Sequence, residues 1–378
     1  MLPPPRGGAS GEIAFCVESH AVAKCLCENV FVSKPMSLSD SSTASTPPKR
    51  TVSLAMFVVG LIVVAGVSVT GVAAYYAVRP VSSSGPIAVT DDLGRHVNVP
   101  FNPSRVVVLG PSIMDSMYRL GLRSHVVGVD CYAPALGGLS DDYSSDQVAL
   151  WNLSSSMCVE IGPTFDVEQL LAFSPQLVLA ATIVSVAAVE EITQTYSIPV
   201  VMLQPATLGG IIVDEQILGQ IFGVSSQVTS LVDELQTGLY QASSLGTNLT
   251  DNGTAFPTVL VTYDADANGY WTFGPGTFGE SLIELASATS ISANATLPYP
   301  ELSAEQVLAS NPEFIVYGTG FGLNESTYSS APFWAQLNAT QHGRAVGLDS
   351  NYFTEPDPTM ILAGLPELIA ILHPDPST

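Results

Sequence analysis

A ten-residue pattern occurs twice in the sequence, and it restricts the fold more than any other feature. Asp166-Val-Glu168-Gln169-Leu-Leu-Ala-Phe-Ser-Pro175 runs into Gln-Leu-Val-Leu, and Ser303-Ala-Glu305-Gln306-Val-Leu-Ala-Ser-Asn-Pro312 runs into Glu-Phe-Ile-Val, 137 positions later. Glu, Gln, Leu, Ala and Pro coincide. Each copy opens on a helix-capping residue with Gln three positions on, which is the spacing of a capping box. Each closes on Pro and is followed by a short apolar run of the kind a buried strand carries. Both glutamates are therefore predicted on the exposed first turn of a helix that feeds a strand. Two such units imply two related lobes, and two lobes make a cleft.

Around each copy, β-branched runs alternate with segments of helical period. In the first half strands are predicted at 105–109, 126–129, 177–180 and 199–203, with helices near 113–120, 167–173 and 186–196. The second half repeats the alternation more sparsely, with strands at 257–262 and 314–317 and helices near 279–286 and 360–372. Between the halves no strand signal appears. Ile212, Ile217, Ile221, Val228, Leu231, Leu235 and Leu239 fall on one face of a long helix, with Gly219 and Gly223 as candidate bends. The predicted fold class is α/β: two lobes, each a mainly parallel sheet covered by helices, joined by one long interlobe helix. The expected bounds are 90–206 for the N-terminal lobe, 207–247 for the interlobe helix and 248–378 for the C-terminal lobe.

Residues 51–78 contain no charged side chain, and their length exceeds the roughly 20 residues that cross ~30 Å of hydrocarbon. A cleaved signal peptide would have a shorter apolar core, about 7–15 residues. An uncleaved single transmembrane helix is therefore expected. Lys49 and Arg50 precede it and Arg79 follows, which places the amino terminus inside. Residues 1–50 are then an unstructured cytoplasmic segment, 79–89 a linker, and the remainder lies outside the cell membrane. Six Asn-x-Ser/Thr sites, at Asn152, Asn248, Asn252, Asn294, Asn324 and Asn338, all follow the span and agree with that topology. Cys16, His20, Cys25 and Cys27 in the first segment match no strong zinc spacing. Beyond the span only Cys131 and Cys158 remain. Outside the cell such a pair is a disulfide candidate; two separately buried thiols are the alternative.

Charge narrows the function. Lysine is absent after Lys49, and from Val81 onward five arginines face 30 acidic residues, a net charge of −25. A surface of this kind repels nucleic acid. Charged residues make up only 12% of the chain, and an acidic medium would discharge many of the carboxylates, so adaptation to an acidic exterior is one reading of the imbalance. His96, His125, His342 and His373 are scattered, which argues against capture of a bare metal ion. The sequence holds no Gly-x-Ser-x-Gly elbow, and no enzymatic activity or cofactor is expected. Gly274-x-Gly276-x-x-Gly279 spells a dinucleotide fingerprint, but with no suitable strand before it the stretch reads as a turn before a helix.

Several motifs together resemble the cobalamin- and ferric-siderophore-binding proteins of ABC importers, over about residues 90–374. They are Val89-Thr-Asp-Asp-Leu-Gly-Arg95 with Pro103-Ser-Arg105-Val-Val-Val-Leu109, Leu120-Gly121 with Val127-Gly-Val129, Gly274-Pro-Gly-Thr-Phe-Gly-Glu280, and Trp334 with Gly343-Arg-Ala-Val-Gly-Leu348. The resemblance implies an extracellular binding protein that passes a ferric siderophore or corrinoid to an ABC permease and its ATPase. It also implies that Glu168 and Glu305 meet arginines of the permease. The ligand is expected between the lobes on loops at strand ends. Candidates are Ser112, Ile113, Tyr132 and Thr164 from the first lobe and Trp271, Phe273, Tyr352 and Phe353 from the second, because rigid rings supply apolar area at little entropic cost. The second lobe holds a single arginine, Arg344, which favours corrinoids or near-neutral hydroxamate chelates over catecholates. A ligand-sensing receptor ectodomain is the alternative, although the inside segment shows no kinase-like or coiled-coil pattern.

Overall fold

The computed structural model describes residues 85–131, 153–161, 165–181, 184–320 and 322–374. The expected span, the segment before it and the candidates Tyr132 and Thr164 lie outside these residues. Among the described residues no helix is long and apolar enough to cross a membrane.

The described chain opens on an antiparallel hairpin, β1 (Ile87–Thr90) with β2 (His96–Val99). Its turn is built around Asp91, which is buried and accepts hydrogen bonds from the backbone of Leu93 and Arg95 and from the Arg95 guanidinium. The same carboxylate accepts the Met202 N–H and so ties the hairpin to the first sheet. That sheet has five parallel strands in the order β5-β4-β3-β6-β7, where β3 is Val106–Leu109, β4 Val126–Asp130, β5 Cys158–Val159, β6 Leu177–Ala180 and β7 Val200–Met202. Strands β3 and β6 are buried at every residue. Helices cover both faces, which is why these strands read as unbroken apolar runs rather than alternating ones. Val106 and Val108 pack towards α1 (Pro111–Arg119) and α4 (Leu208–Phe222), whereas Val107 and Leu109 pack towards α2 (Val167–Ala172) and α3 (Val186–Tyr196).

The stretch expected as one interlobe helix is two. Gly223 adopts φ 71° and its N–H bonds the Gly219 carbonyl, closing α4 in a left-handed cap that a β-carbon would strain. Gly219 itself stays helical. A second helix, α5 (Ser225–Asp251, 27 residues), then starts beside the end of α4 and runs on into the second lobe. There Gly238 lies against Ile361 and Gly246 against Ser287. The bridging rod is therefore α5, about 40 Å long at 1.5 Å per residue.

The second sheet follows the order β11-β9-β8-β12-β13, with β10 (Thr289–Ser290) also on β8. Strands β8 (Thr258–Ala265), β12 (Phe314–Thr319) and β13 (Ala345–Asp349) are parallel, while β9 (Gly269–Thr272) and β11 (Glu301–Ser303) are antiparallel additions at one edge. Its helices are α6 (Phe278–Leu285), α7 (Ala304–Ser310), α8 (Glu325–Ser329), α9 (Asn338–Gln341) and α10 (Leu365–Leu372), the last preceded by a π turn at Met360–Gly364.

The repeat in the sequence is a repeat in the structure. Asp166 caps α2 through the Glu168 N–H, and Ser303 caps α7 through the Gln306 N–H. Both helices end in a left-handed residue before proline, Ser174 at φ 46° and Asn311 at φ 42°. The copies differ in one detail. Gln306 returns to the Ser303 backbone and completes the box, whereas Gln169 accepts the N–H of Glu160 instead. Cys131 and Cys158 form a disulfide, Cα–Cα 4.8 Å, joining the end of β4 to the start of β5.

Candidate functional site

In a parallel sheet every strand finishes at the same edge, and crevices form there. The carboxyl ends of β3, β6 and β7 deliver Pro111, Ser112, Ala181 and Gln204 to one wall of a cavity of about 260 Å³. The opposite wall comes from the second lobe: Tyr263 near the end of β8, Phe273 just after β9, Phe278 at the start of α6 and Tyr299. Thr354, Glu355 and Pro356, beyond β13, line it as well.

Phe273 organises the aromatic wall. It is 2% exposed, and its ring centroid lies 5.0 Å from Tyr263, 5.5 Å from Phe278, 6.2 Å from Tyr299 and 6.2 Å from Phe353. The contacts are tilted or edge-on, the arrangement that ring quadrupoles favour. A β-carbon at Gly279 would sit 2.1 Å from this ring, so glycine at the second position of α6 is what lets Phe273 lie against the helix. Thr277 caps α6 through the Glu280 N–H and donates to the Gly274 carbonyl, and Ser292 donates to the Phe273 carbonyl at 2.6 Å. The motif Gly274-Pro-Gly-Thr-Phe-Gly279 is thus a scaffold for the ring.

Tyr263 and Tyr299 keep their phenolic protons at neutral pH. Burial raises both, and with Tyr299 and Asp264 nearby the Tyr263 hydroxyl reaches about 12. Glu355 is different. Burial, and then the neighbouring Asp130, push its carboxyl up to about 7, while a hydrogen bond from the Ser112 N–H opposes the rise. That bond crosses from one lobe to the other. Nearby, Arg119 of α1 donates to Asp115 at 2.7 Å and to Thr359 of the second lobe at 2.7 Å, and Thr359 donates to Asp115 at 3.1 Å.

Of the residues expected at the site, Ser112 and Phe273 line the cavity. Ile113 does not: it turns into the core beneath α1 and is 3% exposed. Phe353 is fully buried and backs Phe273 from behind. Tyr352 packs against the core, and Trp271 sits within β9 opposite Glu301 of β11; neither reaches the cavity. Tyr263, Phe278, Tyr299, Gln204 and Glu355 were not foreseen. Tyr263 precedes the polar run Asp264–Asn268, and Tyr299 lies in Leu297-Pro-Tyr-Pro300, neither with a period that reveals a facing direction. Glu168 and Glu305 are both exposed in the first turns of α2 and α7. Each helix leads by a short turn into a parallel strand, so both first turns lie towards the strand-end side. Among the described residues the one grouping with metal-ligand proximity is Cys131, Cys158 and Glu160, and the disulfide removes its thiolates.

Known proteins resemble this chain in sequence and share its fold. A cobalamin-binding protein of Halobacterium salinarum is 27% identical over 287 residues, covering 74% of this chain and 72% of that protein. The crystal structure of an ABC-type Fe3+-hydroxamate transport system from Saccharomonospora viridis superposes with a TM-score of 0.60 at 18% identity, over 76% of this chain and 99% of that one. The periplasmic vitamin B12 binding protein of Vibrio cholerae gives a TM-score of 0.55 at 20% identity, over 72% and 98%. Residues 106–352, from the first buried strand to the segment beside the aromatic wall, match the family model described as periplasmic binding protein, and the chain belongs to that family.

Proposed function

We propose that this chain is the membrane-anchored solute-binding component of an ABC importer, capturing a cobalamin-type or ferric hydroxamate chelate between its lobes. One observation carries the reading: an aromatic wall centred on Phe273 faces the strand ends of the other lobe across a cavity. Flat rings around a slot suit a bulky, partly apolar metal complex. At about 260 Å³ the cavity holds one edge of such a complex, so the remainder projects from the mouth. The relative from Halobacterium supports the corrinoid reading, and the fold is shared with hydroxamate carriers.

In this reading the uncharged stretch 51–78 is the anchor, with the lobes outside the membrane. Glu168 and Glu305 are the docking pair for the permease, which works with its ATPase. Titration of the full-length chain in detergent with cyanocobalamin and ferrichrome, followed by tryptophan fluorescence, tests the ligand class; absence of saturable binding by either refutes it. Glu168→Gln with Glu305→Gln is expected to abolish uptake while leaving ligand affinity unchanged. Full uptake by the double variant would rule out docking.

A further inference from the structure

Among the described residues the cleft has no cation to offer a ligand. Arg95 is paired with Asp91, Arg105 donates to the Phe173 and Ser174 carbonyls, Arg119 binds Asp115 and Thr359, Arg123 donates to the Val126 carbonyl, and Arg344 lies over the Phe314 ring. None of them lines the interlobe cavity. The sequence from Val126 to Gln341 contains no Lys, Arg or His, so the flanking stretches outside the described residues supply none either.

What the cavity does contain is a carboxyl group. Glu355 lines it, accepts the Ser112 N–H and lies within electrostatic reach of Asp130. Asp130 is fully buried and accepts the Gly110 N–H at 2.9 Å, so it adds a like charge rather than a counter-ion. Asp357, on the same segment as Glu355, is itself raised well above the ordinary carboxylate range, by burial first and then by Asp115, with Glu355 adding to the rise. The cavity's other titratable groups, Tyr263 and Tyr299, hold their protons. A carboxylate in such surroundings gains strongly from any positive or hydrogen-bond-donating group brought to it.

We propose that Glu355 is the charge-selecting residue of this cleft, accepting a cationic or donor group of the bound chelate, so that complexes of zero or positive net charge are taken and polyanionic ones refused. The inference rests on the chelate-binding reading above and goes beyond it by naming the residue and the sign of the selected charge.

Two pairs of probes, each sharing a scaffold, test it on the full-length chain in detergent. They are aquacobalamin (cationic) against cyanocobalamin (neutral), and ferrioxamine B, with its free ammonium, against its N-acetylated neutral form. On whichever scaffold binds, the cationic member is expected to bind about tenfold more tightly at pH 7.5. The preference should fall below about threefold at pH 5.5, where Glu355 is protonated, and in Glu355→Gln at either pH. Glu355→Asp should retain it. The affinity of the neutral member should change less than about threefold in Glu355→Gln, which also shows that the variant is folded. A charge preference undiminished in Glu355→Gln, no preference in the parent protein, or tight binding of a trianionic ferric catecholate would overturn the inference alone. Failure of both scaffolds to bind would overturn it together with the chelate-binding reading.

Discussion

Replacing Glu215 with glutamine is expected to reshape the pH dependence of folding. Glu215 lies on α4 with no exposure, and its carboxyl accepts a short hydrogen bond from the Ser116 hydroxyl of α1. Burial pushes the acid from its ordinary 4.5 up to about 8; the Ser116 bond opposes that rise and Asp115 adds to it. An acid that holds its proton more firmly folded than unfolded stabilises the fold fully below the unfolded value. That stability is lost as the pH climbs through the folded one. At ~1.4 kcal/mol per pH unit the loss between pH 4.5 and 8 is about 4 kcal/mol. Glutamine keeps the acceptor for Ser116 and cannot ionise. Parent and Glu215→Gln should therefore agree within about 1 kcal/mol at pH 4, while at pH 8 the variant should melt roughly 8–16 °C higher. Thermal denaturation followed by circular dichroism from pH 4 to 8 reads this directly. Parallel curves for the two proteins would show that Glu215 does not titrate across folding, and the argument from burial would fail.

The parent protein should itself be most stable in acid, because Asp214, Asp357, Glu280 and Glu355 are also raised chiefly by burial; a stability maximum near neutrality would contradict an acid-adapted fold. Phe273→Ala should cost about 3–5 kcal/mol in urea denaturation and abolish ligand-induced quenching, since four rings lose their common neighbour. Replacing both Cys131 and Cys158 with serine frees a loop of 27-residue separation and should lower stability by about 3–4 kcal/mol in the chain-entropy picture; an unchanged urea midpoint would refute the bond's contribution. Arg119→Ala leaves Asp115 and Thr359 without their shared donor and should cost roughly 1–2 kcal/mol at pH 7.5, with faster hydrogen exchange in α1.

The elements most readable in the sequence are those buried on both faces. Strands 177–180 and 105–109 declare themselves as apolar runs, and helices such as 186–196 carry a period and a cap at Ser185. Hairpin β1–β2 escaped because its stability comes from one aspartate reaching its own turn and a distant strand. Strands β9 and β11, on one side of the second sheet, are short and interrupted by polar residues, so pairing rather than pattern creates them. The break after α4 was half visible: both glycines were noted, and only backbone geometry tells that Gly223 turns the chain while Gly219 does not. At the site, Ser112 followed from its position after a strand, and Phe273 from being an aromatic ring beside a turn. Phe353 and Ile113 share that position but face the core, and one residue of register decides between cavity and core. Glu355 had no local signal, because its role arises from neighbours more than 200 positions away in the sequence, Ser112 and Asp130.

A single unbroken helix makes a poor hinge. Bending α5 breaks backbone hydrogen bonds in the middle of 27 residues, whereas two separate crossing strands would let the lobes swing freely. The separation between Glu168 and Glu305 is then nearly the same whether the protein is loaded or empty, as with marks on a ruler. An importer reading only those marks would not tell a full carrier from a vacant one. On the proposed docking role, vacant copies should therefore compete for the transporter, and uptake should decline when the carrier outnumbers its cargo.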